Sequence, residues 1–198
     1  MEDRKQFFSR LTELSDRERA MVELAYILAK YSHRAQSRQE IGEDGSPLRY
    51  FEHPRRVALI ILDKLRILDW ELVVIALLHD VVEDTEYATA RQLAVWFTPR
   101  VAECVGLVSK LPKAGYVKRL EECSEWRALV VKACDTLDNL RSLEACAPEK
   151  RRRKVAEYRE KYAPVFERML EIVPVPNRRN AEDLFGFIRS EVERLEAL

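Results

Sequence analysis

The stretch from Trp70 to Val82, WELVVIALLHDVV, is apolar on almost every face of a helix. A surface helix carries a single apolar stripe, so this segment belongs at the centre of a fold, with other helices wrapped around it. Asp69 can cap its start. The unbroken apolar run, Leu72 to Leu78, stops at a histidine. It falls far short of the roughly 18 residues that a membrane span requires, so no membrane partner is expected.

The remainder of the chain reads as helices that can surround this segment. Five glycines in 198 residues is about a third of the usual ~7% share. A β-sandwich, a barrel with many tight turns or a glycine-fingerprint dinucleotide fold would need more. Ser15 and Glu18 fit a capping box, and Met21, Leu24, Ala25, Leu28 and Ala29 then mark one helix face to about Gln36. Ser37 to Glu52, with Gly42, Gly45, Ser46 and Pro47, reads as a loop. Pro54 opens a helix to about Leu65.

After a break at Thr85–Thr89, a short helix covers Ala90 to Phe97, and Thr98-Pro99 opens another to about Ser109. Leu111 to Tyr116 reads as a loop. Glu125 to Ala145 repeats Leu129, Val130, Ala133, Leu137 and Leu140 at helical spacing. Pro148 starts a helix to about Val173, ended by Pro174 and Pro176, and Arg178 to Leu198 forms a last amphipathic helix. The expectation is an all-α bundle in one domain over 1–198, with its core at about 20–173 and a helical appendage at 174–198. Leu184, Phe185 and Ile188 in that appendage can dock on the core or join a second copy, so a homo-oligomer is one expectation.

The 34 basic and 34 acidic side chains cancel. With no global basic field and no interleaving of basic and aromatic residues, a nucleic-acid partner is not expected. The four cysteines contain no C-x-x-C pair, and the N-terminus is not signal-like. They read as reduced thiols in a cytoplasmic protein.

Three histidines are present, His33, His53 and His79. An imidazole and a carboxylate at the end of the most apolar helix, His79-Asp80, cost several kcal/mol unless paired or bound to metal. Glu83 and Asp84 follow one turn on, on the same faces. The bland alternative is a helix end fraying into water. Asp135 lies in the apolar stripe of VVKACDTLDNLRSL and needs a buried partner, with Asn139 one turn further. Its bland alternative is pairing with Lys132 or Arg141. His53 stands at a helix start, after the glycine-containing loop. His33 reads as structural or exposed.

His53, His79, Asp80 and Asp135 together offer two imidazoles and two carboxylates, a donor set suited to Mn²⁺, Fe²⁺ or Zn²⁺ and poor for Ca²⁺. Such an ion would lower the pKa of bound water and polarise a phosphorus–oxygen bond, with Glu83 or Asp84 to orient or deprotonate that water. Lys110, Lys113, Lys118 and Arg119 can meet phosphates or form a solvated loop, and Lys150 to Lys154 reads as a charged helix face.

The segments HRAQSRQ…GSPLRYFEHP, ALLHDVVEDT, VKACDTLDNLRSL and, more weakly, KYAPVFERML carry a resemblance over about Leu24 to Leu170. The chain resembles the HD-domain metal phosphohydrolases and, more narrowly, the hydrolase domain of RelA/SpoT-type alarmone enzymes and the free-standing small alarmone hydrolases. The resemblance implies an enzyme that uses Mn²⁺ to remove the 3′-diphosphate from guanosine tetra- or pentaphosphate, giving GDP or GTP and pyrophosphate. It implies His53, His79, Asp80 and Asp135 as metal ligands and Glu83 and Asp84 as the acidic pair on the attacking water. It places Asn139 near ribose and phosphate and Arg38 flat on the base, and Tyr50 keeps the family tyrosine's spacing to the histidine. Gln39 departs from the lysine usual there, and the Arg38–His53 loop is longer than usual. The adenosine analogue ppApp and the 2′-phosphate of NADPH therefore stand as alternative substrates. A non-catalytic nucleotide-sensing module is the alternative of another class.

Overall fold

The computed structural model describes residues 4–42 and 44–198. A short helix α1 (Arg4–Phe8) and a 3₁₀ turn lead into α2 (Asp16–Ser32). The predicted capping box is present: Ser15 Oγ accepts from the Glu18 N–H at 3.4 Å, and the Glu18 carboxylate accepts from the Ser15 N–H at 2.9 Å.

The segment expected to be a loop instead folds as an antiparallel hairpin of β1 (Ser37–Ile41) and β2 (Pro47–Arg49), with Ser37 opposite Arg49 and Ile41 opposite Pro47. Gly45 turns it at a φ of 78°, which suits glycine, and Gly42 N–H donates to Ser46 O at 2.8 Å. Glu43, within the expected loop, lies outside the described residues. The domain range 1–198 likewise includes residues 1–3, also outside them.

Then come α3 (Glu52–Leu59), which ends in a π-helical turn at Ile60–Lys64, and α4 (Trp70–Leu78), capped by Asp69 through the Leu72 N–H at 3.1 Å. The helix expected to run to Val82 breaks at His79-Asp80 and resumes as α5 (Val81–Asp84). A cause is visible at the break. The Ala76 carbonyl, the one a continuing helix would offer to the Asp80 N–H, accepts from His79 Nδ1 at 2.8 Å.

Next are α6 (Ala90–Trp96), α7 (Pro99–Val108), the unanticipated short α8 (Tyr116–Glu121) and α9 (Trp126–Arg141), with a 3₁₀ turn at Ser142–Ala145. The single helix expected from Pro148 is two, α10 (Pro148–Glu157) and α11 (Ala163–Ile172), joined by a π-helical turn at Tyr158–Tyr162. Pro164 sits in the first turn of α11, where it lacks the N–H that a continuous helix would use. Pro174 and Pro176 open α12 (Val175–Glu196).

The small hairpin leaves the molecule a helical bundle. In α4 every residue from Leu72 to Leu78 is fully buried. Helices α2, α3, α7 and α9 surround it, which accounts for an apolar surface on all sides. Glu71, buried at the same helix, is neutralised by Arg100 at 2.8 Å and by the Thr98 hydroxyl at 2.6 Å. Leu184 and Ile188 of α12 are fully buried in the same core, with α12 lying on α9, α10 and α11. No helix among the described residues is long and apolar enough to cross a membrane. The four cysteines are free thiols. Since α3, α4 and α9 touch one another pairwise, whatever projects from their common end shares one place.

Candidate functional site

That common end holds two histidines whose rings meet. His53 comes from the first turn of α3 and His79 from the end of α4, with their Nε2 atoms 3.3 Å apart. Each ring is fixed from behind. His79 Nδ1 donates to the Ala76 carbonyl, and His53 Nδ1 donates to Asp138 Oδ2 at 2.7 Å. A carbonyl and an ionised carboxylate only accept, so the hydrogen of each ring belongs on Nδ1. Both Nε2 lone pairs then face the same point, where neutral rings cannot satisfy each other.

Carboxylates close that point. Asp80 Oδ2 lies 3.1 Å from His79 Nε2 and 3.6 Å from His53 Nε2. Asp135 Oδ1, from α9, lies 3.1 Å from His53 Nε2 and 3.8 Å from His79 Nε2. Ligand atoms of His53, His79 and Asp80 all lie within 4.8 Å of one another and can hold a metal ion. Two converging imidazole lone pairs with ionised carboxylates fit a divalent cation of intermediate softness. All four predicted ligand residues are buried and brought together.

The charges respond to this crowding. Burial works against charging His53, yet hydrogen bonds to Asp135 and Asp138 and the charges of Asp135 and Asp80 raise it to about 9. Burial likewise opposes charging His79, but Asp80 raises it. Burial would push the Asp80 and Asp135 carboxyls up. The His79 charge overrides this for Asp80 and the Lys132 charge for Asp135, and both end low. The expected alternative for Asp135 is also realised, because Lys132 Nζ reaches its Oδ2 at 2.8 Å. The pairing occupies one carboxylate oxygen and leaves the other at the imidazoles.

The predicted acidic pair stands at the edge of this cluster. Glu83 is held by the Lys110 N–H at 2.8 Å and by Lys110 Nζ at 3.4 Å. The Tyr50 hydroxyl lies 2.7 Å from Asp80 Oδ2 and 3.0 Å from Asp84 Oδ2. Burial, then the Asp80 charge, raises the Asp84 carboxyl. Asn139 donates to Asp135 Oδ1 and accepts from Arg38 Nη2 at 3.3 Å. His33 is buried. It donates to Gln36 and stacks on Tyr50 at 4.7 Å, so it supports the site from beneath.

A cavity of about 540 Å³ opens over the cluster, and all nine predicted site residues except His79 line it. Several lining residues were not anticipated. The ring of Tyr162 lies 5.0 Å from Nζ of Lys132, itself foreseen only as a partner of Asp135. Lys150 and Lys154 of the basic run face the cavity, and the helical spacing of four between them is the signal that was available. Among the four cations after α7, Lys110 lines it, whereas Arg119 is committed to the carbonyls of Pro112 and Ala114.

Comparison with known proteins places the chain in a family. A family profile described as HD domain covers residues 25–169. The bifunctional (p)ppGpp synthase/hydrolase SpoT of Escherichia coli K12 is 36% identical over 157 residues, covering 73% of this chain and 21% of SpoT. The GTP pyrophosphokinase rsh of Brucella melitensis is 35% identical over 162 residues, covering 76% of this chain and 20% of that protein. The chain thus spans about one fifth of the length of these bacterial relatives. A solved structure, described as a metazoan ortholog of SpoT that hydrolyzes ppGpp, superposes with a TM-score of 0.63 at 26% identity, covering 84% of this chain and 94% of that one. A profile running from α2 to α11, joined to relatives of this identity and coverage, makes the chain a member of the HD-domain family, related to SpoT and Rsh proteins.

Proposed function

We propose that the protein is a metal-dependent 3′-pyrophosphohydrolase of guanosine tetra- and pentaphosphate, releasing pyrophosphate and leaving GDP or GTP. The observation that carries this reading is the pair of converging Nε2 atoms, flanked by ionised Asp80 and Asp135, at the floor of a cavity rimmed by cations. His53, His79, Asp80 and Asp135 would hold the ion, with Mn²⁺ as the proposed metal. Bound there, such an ion supplies a lowered pKa for water and polarisation of phosphoryl oxygen.

The remaining roles fall to the protein's own groups. Asp84, its carboxyl raised by burial and by Asp80, is the better placed of the acidic pair to take a proton from the attacking water. Glu83, fixed by Lys110, orients that water. Tyr50 stays a hydrogen-bond donor, because burial and the charges of Asp80 and Asp84 keep its hydroxyl from ionising. Arg38 offers its flat guanidinium to the base, and Asn139 stands between Arg38 and Asp135, where a ribose would sit. Lys110, Lys132, Lys150 and Lys154 give the cavity the positive charge that a multiply phosphorylated nucleotide requires.

The test is incubation of the purified protein and Mn²⁺ with ppGpp, ppApp and NADPH, resolving nucleotide, pyrophosphate and orthophosphate. Pyrophosphate and GDP from ppGpp are expected. Orthophosphate from NADPH alone would move the activity to a 2′-phosphatase, and adenine preference would move only the base. Asp80→Ala should abolish turnover in a protein that keeps its helical circular dichroism. Binding of ppGpp without turnover in the unmodified protein would mark a sensor instead.

A further inference from the structure

Asp138 is 3% exposed and lies in the interior of α9, one turn beyond Asp135. An ionised carboxylate so deep is costly unless every lone pair has a partner. Here the partners form one line. Asp138 Oδ2 accepts from His53 Nδ1 at 2.7 Å, and Oδ1 accepts from Arg56 Nε at 2.7 Å. Arg56 Nη2 reaches Asp138 Oδ2 at 3.0 Å and both Glu40 oxygens at 3.0 Å. Glu40 Oε2 then accepts from Arg38 Nε at 2.9 Å. Five side chains therefore run without a gap from a candidate metal ligand to the hairpin.

Each link has a mechanical consequence. With Asp138 on Nδ1, the His53 ring turns Nε2, and not a ring carbon, toward His79 and Asp135. A ring flip or a change of tautomer would break that bond. Arg56 approaches Asp138 with two nitrogens, which fixes the plane of the carboxylate as well as its charge. Glu40 and Arg38 alternate with exposed neighbours along β1, so the period of two puts them on one face. Glu40 thereby joins that face to α3 through Arg56.

We propose that Asp138 is the positioning residue for His53, and that Arg56 and Glu40 extend its hold to the hairpin face presenting Arg38, coupling seating of the base to metal affinity. The link to the base rests on the function proposed above, whereas the link to His53 does not.

Calorimetric titration with Mn²⁺ alone tests the first link. Asp138→Asn keeps size and one acceptor and should weaken Mn²⁺ binding about tenfold. Asp138→Leu removes both acceptors and should weaken it about 100-fold. Nitrogen NMR of the His53 ring in the metal-free protein, recorded above about pH 9 where the ring is neutral, should show its hydrogen held on Nδ1 in the Asn variant and shared between Nδ1 and Nε2 in the Leu variant. Mn²⁺ affinity within twofold of wild type for both variants, with the ring signal unaltered in Asp138→Leu, overturns the positioning role, as does absence of Mn²⁺ binding by the wild type. Glu40→Gln tests the coupling. It should lower Mn²⁺ affinity about two- to tenfold and raise KM for ppGpp by a similar factor. If neither moves, the coupling falls. If the wild type binds Mn²⁺ but leaves ppGpp intact, the proposed substrate falls while the Asp138 titration still stands or fails by itself.

Discussion

The charge on His53 turns metal binding into a proton exchange. Burial opposes a second proton on this ring, but Asp135 and Asp138 raise it to about 9, so at neutral pH the metal-free ring is an imidazolium. A cation needs the Nε2 lone pair and must expel that proton. The sign follows: below about 9 the ring is protonated before binding, so raising the pH removes the competitor and tightens the metal. Mn²⁺ affinity should rise about tenfold per pH unit for each proton displaced between pH 6 and 8.5 and level off near 9. Titrations in buffers of differing ionisation enthalpy should count about one proton or more released, and a flat profile would remove the competition. His33 shows the opposite balance. Burial dominates and lowers it, leaving a neutral ring suited to stacking under Tyr50. The four candidate ligands were legible in the sequence because polar groups in apolar helical stretches demand partners. Asp138 was not, because it stands beside the polar Asn139, Arg141 and Ser142 near the end of its helix, and such a cluster reads as a face that meets water. In the folded chain α9 is enclosed by α3, α4, α7, α11 and α12, and Asp138 is buried with the rest of its length.

Among the elements, the hairpin was the least legible. Hydrophobic alternation is the usual sign of a strand, and Ser-Arg-Gln-Glu-Ile alternates only in exposure, with polar residues on both faces. Its turn residues were visible, and its pairing was not. The two π-helical turns were hidden for a related reason: each widens a single helical turn, and no residue type marks it. Function draws on the hairpin directly. Arg38 lines the cavity with its guanidinium carbon 5.8 Å from the Tyr50 ring centre, while Nη2 is tied to Asn139 and Ser142 at 3.3 Å. Stacking of a base on such a plane contributes about 1–3 kcal/mol. Arg38→Ala should therefore raise KM for ppGpp at least about fivefold, with a smaller change in kcat. Arg38→Lys should fail to restore it, since an ammonium offers charge without a flat face. A Lys variant that recovers wild-type KM would reduce Arg38 to a point charge.

At the scale of the molecule, chemistry and cohesion draw on the same helices. The cavity opens where the start of α3, the end of α4 and the C-terminal half of α9 meet, while α12 lies along α9, α10 and α11 and places Leu184 and Ile188 in the core with no exposed surface. Leu184 is not among the residues lining the cavity. Truncating it to alanine removes apolar contacts and leaves a void, which in well-packed cores costs about 2–5 kcal/mol. For a chain of 198 residues, each kcal/mol lowers Tm by roughly 2–4 °C. Leu184→Ala should therefore melt about 5–15 °C below the parent protein, read by circular dichroism. If the last helix is only a brace, kcat and Mn²⁺ affinity at 25 °C should stay within about twofold of wild type. Should they fall sharply while the protein remains folded, α12 would have to act on the site through α9, which carries Asp135, Asp138 and Asn139, or through α10, which carries Lys150 and Lys154, because both touch α12.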